Sequence, residues 1–266
     1  MVTTNFIYSS ALEMDWCFTA YYPNHYDNEK EYDVVILLHG TNGNNRTLVD
    51  RVPLEEIMKK YEDKIIILPN GFNSYYLDKV ENAIINDLIP FLRENTNIRS
   101  LNLGGVSMGA FGALRLSLKY PNIFENTILI SPAIWNPVPP DDCSVRKMCA
   151  FGRPFNEEIW MNNSWFRNEE NLSKNNYIVI HGLQDEIVEV SNCYKFVDYC
   201  EDNNIDIKYF FINGNHDSKV VEEGIRTGFE VIFNKNVIWK QLWNKILAKS
   251  NKNIKKNSKS IAKVKR

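Results

Sequence analysis

The feature that most constrains this chain is a series of short apolar runs that lack polar alternation. Such runs are typical of parallel strands that are covered on both faces. They occupy residues 34–38, 65–68, 101–106, 127–130, 177–180 and 207–212. Amphipathic stretches separate them and predict helices over residues 54–61, 80–95, 110–120, 190–203 and 218–233. This alternation predicts an α/β domain with a mainly parallel central sheet and helices on both faces.

The two ends of the chain depart from this regular pattern. Residues 12–22 are rich in β-branched and aromatic side chains and precede Pro23, which predicts an N-terminal antiparallel edge hairpin. Residues 249–266 form a basic tail without acidic residues, for which we expect disorder. Residues 1–248 are then a single domain, since 266 residues with 44% hydrophobic content can build one large core.

A proline- and aromatic-rich segment, residues 135–172, interrupts the pattern and has no strand periodicity. We interpret it as a short lid-like insertion or wall. The alternative is a packing insertion that covers an edge of the sheet. Its aromatic side chains are suited either to stacking against a sugar or phenolic alcohol or to packing in the core.

Composition favours a small-molecule partner. A net charge of -2 gives no reason to expect nucleic-acid binding, and no stretch of about 18 apolar residues predicts a membrane span. The first ten residues lack the features of a secretion signal, so the expected compartment is the cytoplasm. The five cysteines have no C-x-x-C spacing, which argues against a disulfide framework and a structural zinc site. A homo-oligomer is also compatible with the sequence.

A G-x-S-x-G motif lies between the third apolar run and the next predicted helix, with Ser107 at its centre. This is the context of a nucleophile elbow, in which small residues at Gly105 and Gly109 let strand and helix approach closely. Because the motif also occurs by chance, the other members of a catalytic triad must support it.

An acid and a base follow the next strands in the order that such a triad requires. Asp185 follows the predicted strand 177–180, and His216 follows the predicted strand 207–212. The carboxyl ends of parallel strands share one rim of the sheet, so both should lie near Ser107. Glu186 and Asp217 are rival acids, although Asp217 adjoins the histidine too closely for a good in-plane bond.

An oxyanion hole and a pocket would complete the site. The expected backbone N–H donors are those of Met108 and Thr41. Candidate residues of the substrate pocket are His39, Tyr76, Trp135 and Trp160. We also expect His39 and His181 to be core histidines that hydrogen-bond the loop backbone.

These motifs resemble the esterase family that contains esterase D (S-formylglutathione hydrolase), feruloyl and acetylxylan esterases, siderophore esterases and mycolyltransferases. The resemblance extends over most of the chain and includes the His-Gly pair at 39–40, residues 69–78, the Gly-Val-Ser-Met-Gly elbow and the loops at 181–185 and 214–217. It implies the α/β-hydrolase fold, the triad Ser107, Asp185 and His216, and the donors Met108 and Thr41. Many relatives have tryptophan after the His-Asp pair, where this chain has Ser218.

The function that these observations predict is hydrolysis of carboxylic esters through an acyl-enzyme on Ser107. The substrate would be a short-acyl, sugar or phenolic ester, and neither a metal nor a cofactor is required. One alternative is an acyltransferase that uses the same triad. A more remote alternative is a catalytically inert binding module.

Overall fold

An eight-stranded sheet runs through residues 1–234, the part of the chain that the computed structural model describes. The strands, in chain order, are β1 Val2–Ser9, β2 Met14–Tyr21, β3 Glu31–Leu38, β4 Lys64–Pro69, β5 Asn97–Val106, β6 Asn126–Ile130, β7 Asn176–Gly182 and β8 Ile207–Ile212. Their order across the sheet is β1-β2-β4-β3-β5-β6-β7-β8. Strands β3 to β8 are parallel, and β2 joins β4 in antiparallel orientation. The predicted mainly parallel sheet is therefore confirmed, whereas the predicted basic tail lies outside the described residues.

Helices cover both faces of this sheet, as predicted. They are α1 Thr47–Arg51, α2 Leu54–Met58, α3 Asp78–Asn82, α4 Ile89–Asn95, α5 Met108–Lys119, α6 Glu157–Asn162, α7 Ser191–Asp202 and α8 Ser218–Phe233. A π-helical turn, Ala83–Leu88, joins α3 to α4. Successive strand side chains point to opposite faces, so Ile36 packs in the cluster that contains Phe196 of α7, while Val35 packs in the one that contains Phe229 of α8. None of the helices in residues 1–234 is long and apolar enough to cross a membrane.

The N-terminal hairpin begins earlier than the sequence predicts. Its arms are β1 and β2, which pair antiparallel from Val2 opposite Tyr21 to Ser9 opposite Met14. The predicted range of 12–22 therefore includes the turn and the second arm but misses the first. The pattern of β1 is weak because it is an edge strand, in which Phe6 and Tyr8 are exposed and Ile7 and Ser9 are buried.

The segment 135–172 packs its aromatic rings into the core. It contains α6 and several short 3₁₀ turns, and this segment, which lies wholly within the described residues, has no strand. Trp160 is fully buried and stacks on Phe111 of α5, with ring centroids 5.1 Å apart, and its Nε1 donates to the carbonyl of Pro137. Phe151 contacts the same ring edge-on. One residue of the segment, Ser144, lines the cleft described below.

We expect Trp160→Ala to lower the free energy of unfolding by about 3–5 kcal/mol, because it leaves a cavity among packed rings and removes a buried hydrogen bond. Ile159→Ala is the matched control, since Ile159 lies on the same helix and is 37% exposed. Urea unfolding followed by circular dichroism measures both changes. Equal losses in the two variants would contradict the assignment of Trp160 to the core.

Candidate active site

Ser107 occupies a strained turn between β5 and α5. Its backbone has φ 55° and ψ -113°, a region that side-chain-bearing residues rarely adopt. The turn is held by hydrogen bonds from the Ser107 N–H to the carbonyl of Ile130 (2.9 Å) and from the Ala133 N–H to the carbonyl of Ser107 (3.2 Å). A side chain on Gly105 would collide with the backbone of Gly109. A side chain on Gly109 would in turn collide with the backbone of Leu38 at the end of β3. Gly105 is therefore required by the close approach of β5 to α5, and Gly109 by that of β3 to α5.

Asp185 and His216 meet in loops at the carboxyl ends of β7 and β8. The Nδ1 atom of His216 lies 2.7 Å from Oδ2 of Asp185. Neither rival acid occupies this position, because Glu186 is exposed and Asp217 accepts the N–H groups of Lys219 and Val220, both at 3.0 Å, as the N-cap of α8. The structure thus gives His216 a buried carboxylate partner in Asp185.

Four nitrogen atoms lie close to the Asp185 carboxylate. Oδ1 accepts the N–H groups of Ile187 (3.0 Å) and Val188 (2.8 Å), and Oδ2 faces His216 and, at 3.3 Å, Nε2 of His181. Burial by itself raises the pKa of this carboxyl, but the contacts with His181, His216 and Val188 outweigh burial and hold the pKa well below its usual range. Asp185 therefore stays ionised from mildly acidic pH upwards, and the stability it contributes is lost only as the pH falls below the ordinary carboxyl pKa of about 3.9.

Two side-chain amides that the sequence analysis did not single out tie the acid loop to the histidine loop. Gln184 accepts the Gly214 N–H at 2.7 Å through its side-chain oxygen. The Asn215 oxygen accepts the N–H groups of both Glu186 (3.0 Å) and His216 (2.7 Å). These bonds fix the two loops against each other. The presence of Asn215 within the Gly-Asn-His-Asp motif was the available signal for its role.

Ser107 and His216 line the same open cleft, which has a volume of about 520 Å³. Its apolar wall consists of Leu48, Val52, Val106, Ile187 and Val221. Its uncharged polar side chains are Thr41, Asn42, Thr47, Ser144 and Ser218. Arg51 and Asp217 add one charge of each sign. A cleft of this size and mixed lining is suited to a small polar molecule that carries a short apolar group.

One of the two expected oxyanion donors, Met108, directly follows Ser107 in the chain, and the other, Thr41, lines the same cleft. Met108 is the first residue of α5, so its N–H has no acceptor within the helix. Thr41 lines the cleft in the loop after β3. Two hydrogen bonds hold the start of that loop in place. His39 Nδ1 donates to the Gly40 carbonyl (2.7 Å), and the Tyr76 hydroxyl donates to the His39 carbonyl (3.0 Å).

The structure corrects the predicted substrate pocket. His39, Tyr76, Trp135 and Trp160 are all buried, and none of them lines the cleft that residues 1–234 form around Ser107. His39 is the core histidine that the sequence analysis expects, since its Nε2 also accepts the Gly71 N–H at 2.9 Å. The aromatic side chains that suggested a pocket pack instead between the insertion, α5 and the loop at 70–78.

Residues 1–234 contain no group of three or more His, Cys, Asp or Glu side chains placed to hold a metal ion. All five cysteines are free thiols, and Cys193 and Cys200 are buried on α7.

Residues 9–204 match a protein family described as "Putative esterase". An acetyl esterase from Caldicellulosiruptor saccharolyticus is 35% identical over 108 residues, which cover 37% of this chain and 40% of that enzyme. The chain thus aligns with less than half of the length of this curated relative.

Solved structures share the fold. A ferulic acid esterase matches with a TM-score of 0.74 at 17% identity, covering 88% of this chain and 98% of that one. An S-formylglutathione hydrolase from Staphylococcus aureus matches with a TM-score of 0.72 at 15% identity, covering 87% and 95%. The fluorophosphonate-binding serine hydrolase F of the same organism matches with a TM-score of 0.71 at 16% identity, covering 87% and 97%. These likenesses identify the α/β-hydrolase fold, and because the family match spans residues 9–204 of 266, the chain belongs to this esterase family.

Proposed function

We propose that this protein is a serine carboxylic-ester hydrolase whose nucleophile is Ser107. The observation that carries the proposal is the 2.7 Å contact between His216 Nδ1 and the buried Asp185 carboxylate, beside a cleft that Ser107 and His216 line together. The strained backbone of Ser107 supports the same role, because such strain is commonly found where a side chain must be presented to a substrate.

In the proposed reaction, Asp185 holds His216 with its Nδ1 protonated, so that Nε2 is free to act as a base. His216 takes the Ser107 proton as the serine oxygen attacks the ester carbonyl. The N–H groups of Met108 and Thr41 would stabilise the negative charge that develops on the carbonyl oxygen. The alcohol leaves with the proton from His216. Water, deprotonated by the same base, then releases the acid and regenerates Ser107.

The cleft favours short acyl groups. Its aliphatic side chains form one wall, and the aromatic side chains of the 135–172 segment are packed in the core, so no broad apolar cover extends over Ser107 within the described residues. Similarity to an acetyl esterase supports an acetyl ester as the substrate, and similarity of fold to a ferulic acid esterase supports a phenolic-acid ester as the second class to assay.

The test combines turnover with covalent labelling. We expect the wild-type protein to hydrolyse p-nitrophenyl acetate and butyrate faster than the decanoate, and a fluorophosphonate probe to modify Ser107, identified by peptide mass spectrometry. Heat-unfolded protein is the control for labelling. Faster hydrolysis of the decanoate would refute the short-acyl preference, and labelling at another residue would refute the assignment of the nucleophile. Turnover that appears only when an alcohol acceptor is added would instead identify an acyltransferase.

A further inference from the structure

A second histidine lies behind the Asp185 carboxylate, on the side away from the cleft. His181 is fully buried near the end of β7, on the face that packs Val179 against α7. Its Nε2 is 3.3 Å from Asp185 Oδ2, the oxygen that also faces His216. His181 does not belong to the lining of the cleft in residues 1–234. Its influence on chemistry would therefore pass through Asp185.

The neighbours of His181 determine which ring nitrogen carries the proton. Nε2 lies 2.9 Å from the Val188 carbonyl, which can only accept, so Nε2 is the donor. Nδ1 lies 3.0 Å from the Sγ atom of Cys193. Burial, aided by the nearby charge of Asp185, raises the pKa of the Cys193 thiol well above its ordinary value, so the thiol keeps its proton and can donate to Nδ1.

His181 also reaches the carboxylate through the backbone of Val188. The Val188 carbonyl accepts the His181 bond, and the Val188 N–H donates to Asp185 Oδ1 at 2.8 Å. The single Nε2–H group of His181 thus lies near one carboxylate oxygen and donates to the residue whose own N–H donates to the other. Removing the ring would leave Oδ2 with its contact to His216, and the Val188 carbonyl would lose the hydrogen bond from His181.

We propose that His181, held in its Nε2–H tautomer by Cys193, is a positioning residue that fixes the plane of the Asp185 carboxylate against His216. The kinetic consequence rests on the proposed esterase function, whereas the structural consequence does not. Because a misplacement of about 1 Å in a catalytic group can cost about 10²-fold in rate, a buried brace of this kind would affect kcat without touching the substrate.

The experiment compares variants that keep and remove each donor. His181→Gln keeps a donor near the position of Nε2, and His181→Leu removes it. Cys193→Ser keeps a donor to Nδ1, and Cys193→Val removes it. We expect His181→Leu to lower kcat for p-nitrophenyl butyrate by about 10–100-fold with KM nearly unchanged. His181→Gln should restore most of the loss, and Cys193→Val should show a smaller loss than His181→Leu while Cys193→Ser stays near wild type.

A second readout does not depend on turnover. In protein labelled with ¹⁵N-histidine, the proton between His216 Nδ1 and Asp185 should give a low-field resonance that persists in His181→Gln and is lost or moved upfield in His181→Leu. Wild-type kcat together with an unchanged resonance in His181→Leu would overturn the proposal. If His181→Leu does not fold by circular dichroism, Cys193→Val decides, and its identity with Cys193→Ser in both readouts would overturn it. A wild type that hydrolyses no ester would refute the esterase function, while the resonance would still decide the role of His181.

Discussion

Ser107→Ala is expected to lower kcat for p-nitrophenyl acetate by about 10⁴-fold or more while the protein stays folded. Alanine fits the elbow, because the turn is held by backbone hydrogen bonds of residue 107 and not by its hydroxyl. Without the oxygen no acyl-enzyme can form, and only direct attack by water on a bound ester remains. Initial rates across a range of substrate concentrations, corrected for spontaneous hydrolysis, measure the effect.

Ser191→Ala is the matched control for this prediction. It makes the same atomic change at an exposed serine at the start of α7, outside the cleft as residues 1–234 define it. We expect its kcat and KM to stay within about twofold of wild type. A Ser107→Ala variant that retained a tenth or more of wild-type kcat would show that another residue is the nucleophile.

Asp185→Asn is expected to lower kcat by about 10⁴-fold, the effect of presenting a donor where the base needs an acceptor. The amide nitrogen would either face His216 Nδ1, favouring the wrong tautomer, or face the N–H groups of Ile187 and Val188. The first orientation also sets the amide nitrogen against the Nε2–H of His181, and the second sets it against two backbone N–H groups, so the free energy of unfolding should fall as well. Steady-state kinetics and urea unfolding of the same preparation measure the two effects.

Glu186→Gln separates this effect from a general loss of negative charge. Glu186 is the adjacent acid, its side chain is exposed, and its backbone bond to Asn215 is retained in the variant. We expect near wild-type kinetics and stability. If Glu186→Gln lost as much activity as Asp185→Asn, the acid of the triad would have to be reassigned.

Part of the site followed from the sequence because parallel strands impose a common direction. Residues that directly follow β5, β7 and β8 must lie on one rim of the sheet, so the motif around Ser107 and the two polar loops could be associated without coordinates. The helix Ser218–Phe233 was also predicted at its observed bounds, because its amphipathic pattern is strong. Both inferences depend on local patterns and on the pairing rules of a parallel sheet.

The pocket prediction failed because burial is not a local property. Trp135 and Trp160 have the size and polarity of ligand-stacking residues, and the same features suit them to a core. What decides between the two is where the 135–172 segment folds back. In the structure it places Trp160 against Phe111, and the cleft wall comes instead from aliphatic residues such as Leu48 and Val221.

The sequence by itself determined the α/β architecture and the rim on which Ser107, Asp185 and His216 lie, because strand periodicity and chain order are properties of short segments. Only the tertiary structure decided which of three neighbouring acids contacts His216, which side chains line the cleft, and that His181 and Cys193 stand behind Asp185. Those outcomes depend on distances of a few ångströms between segments that are far apart in sequence, and they are fixed by the packing of whole helices and loops against the sheet.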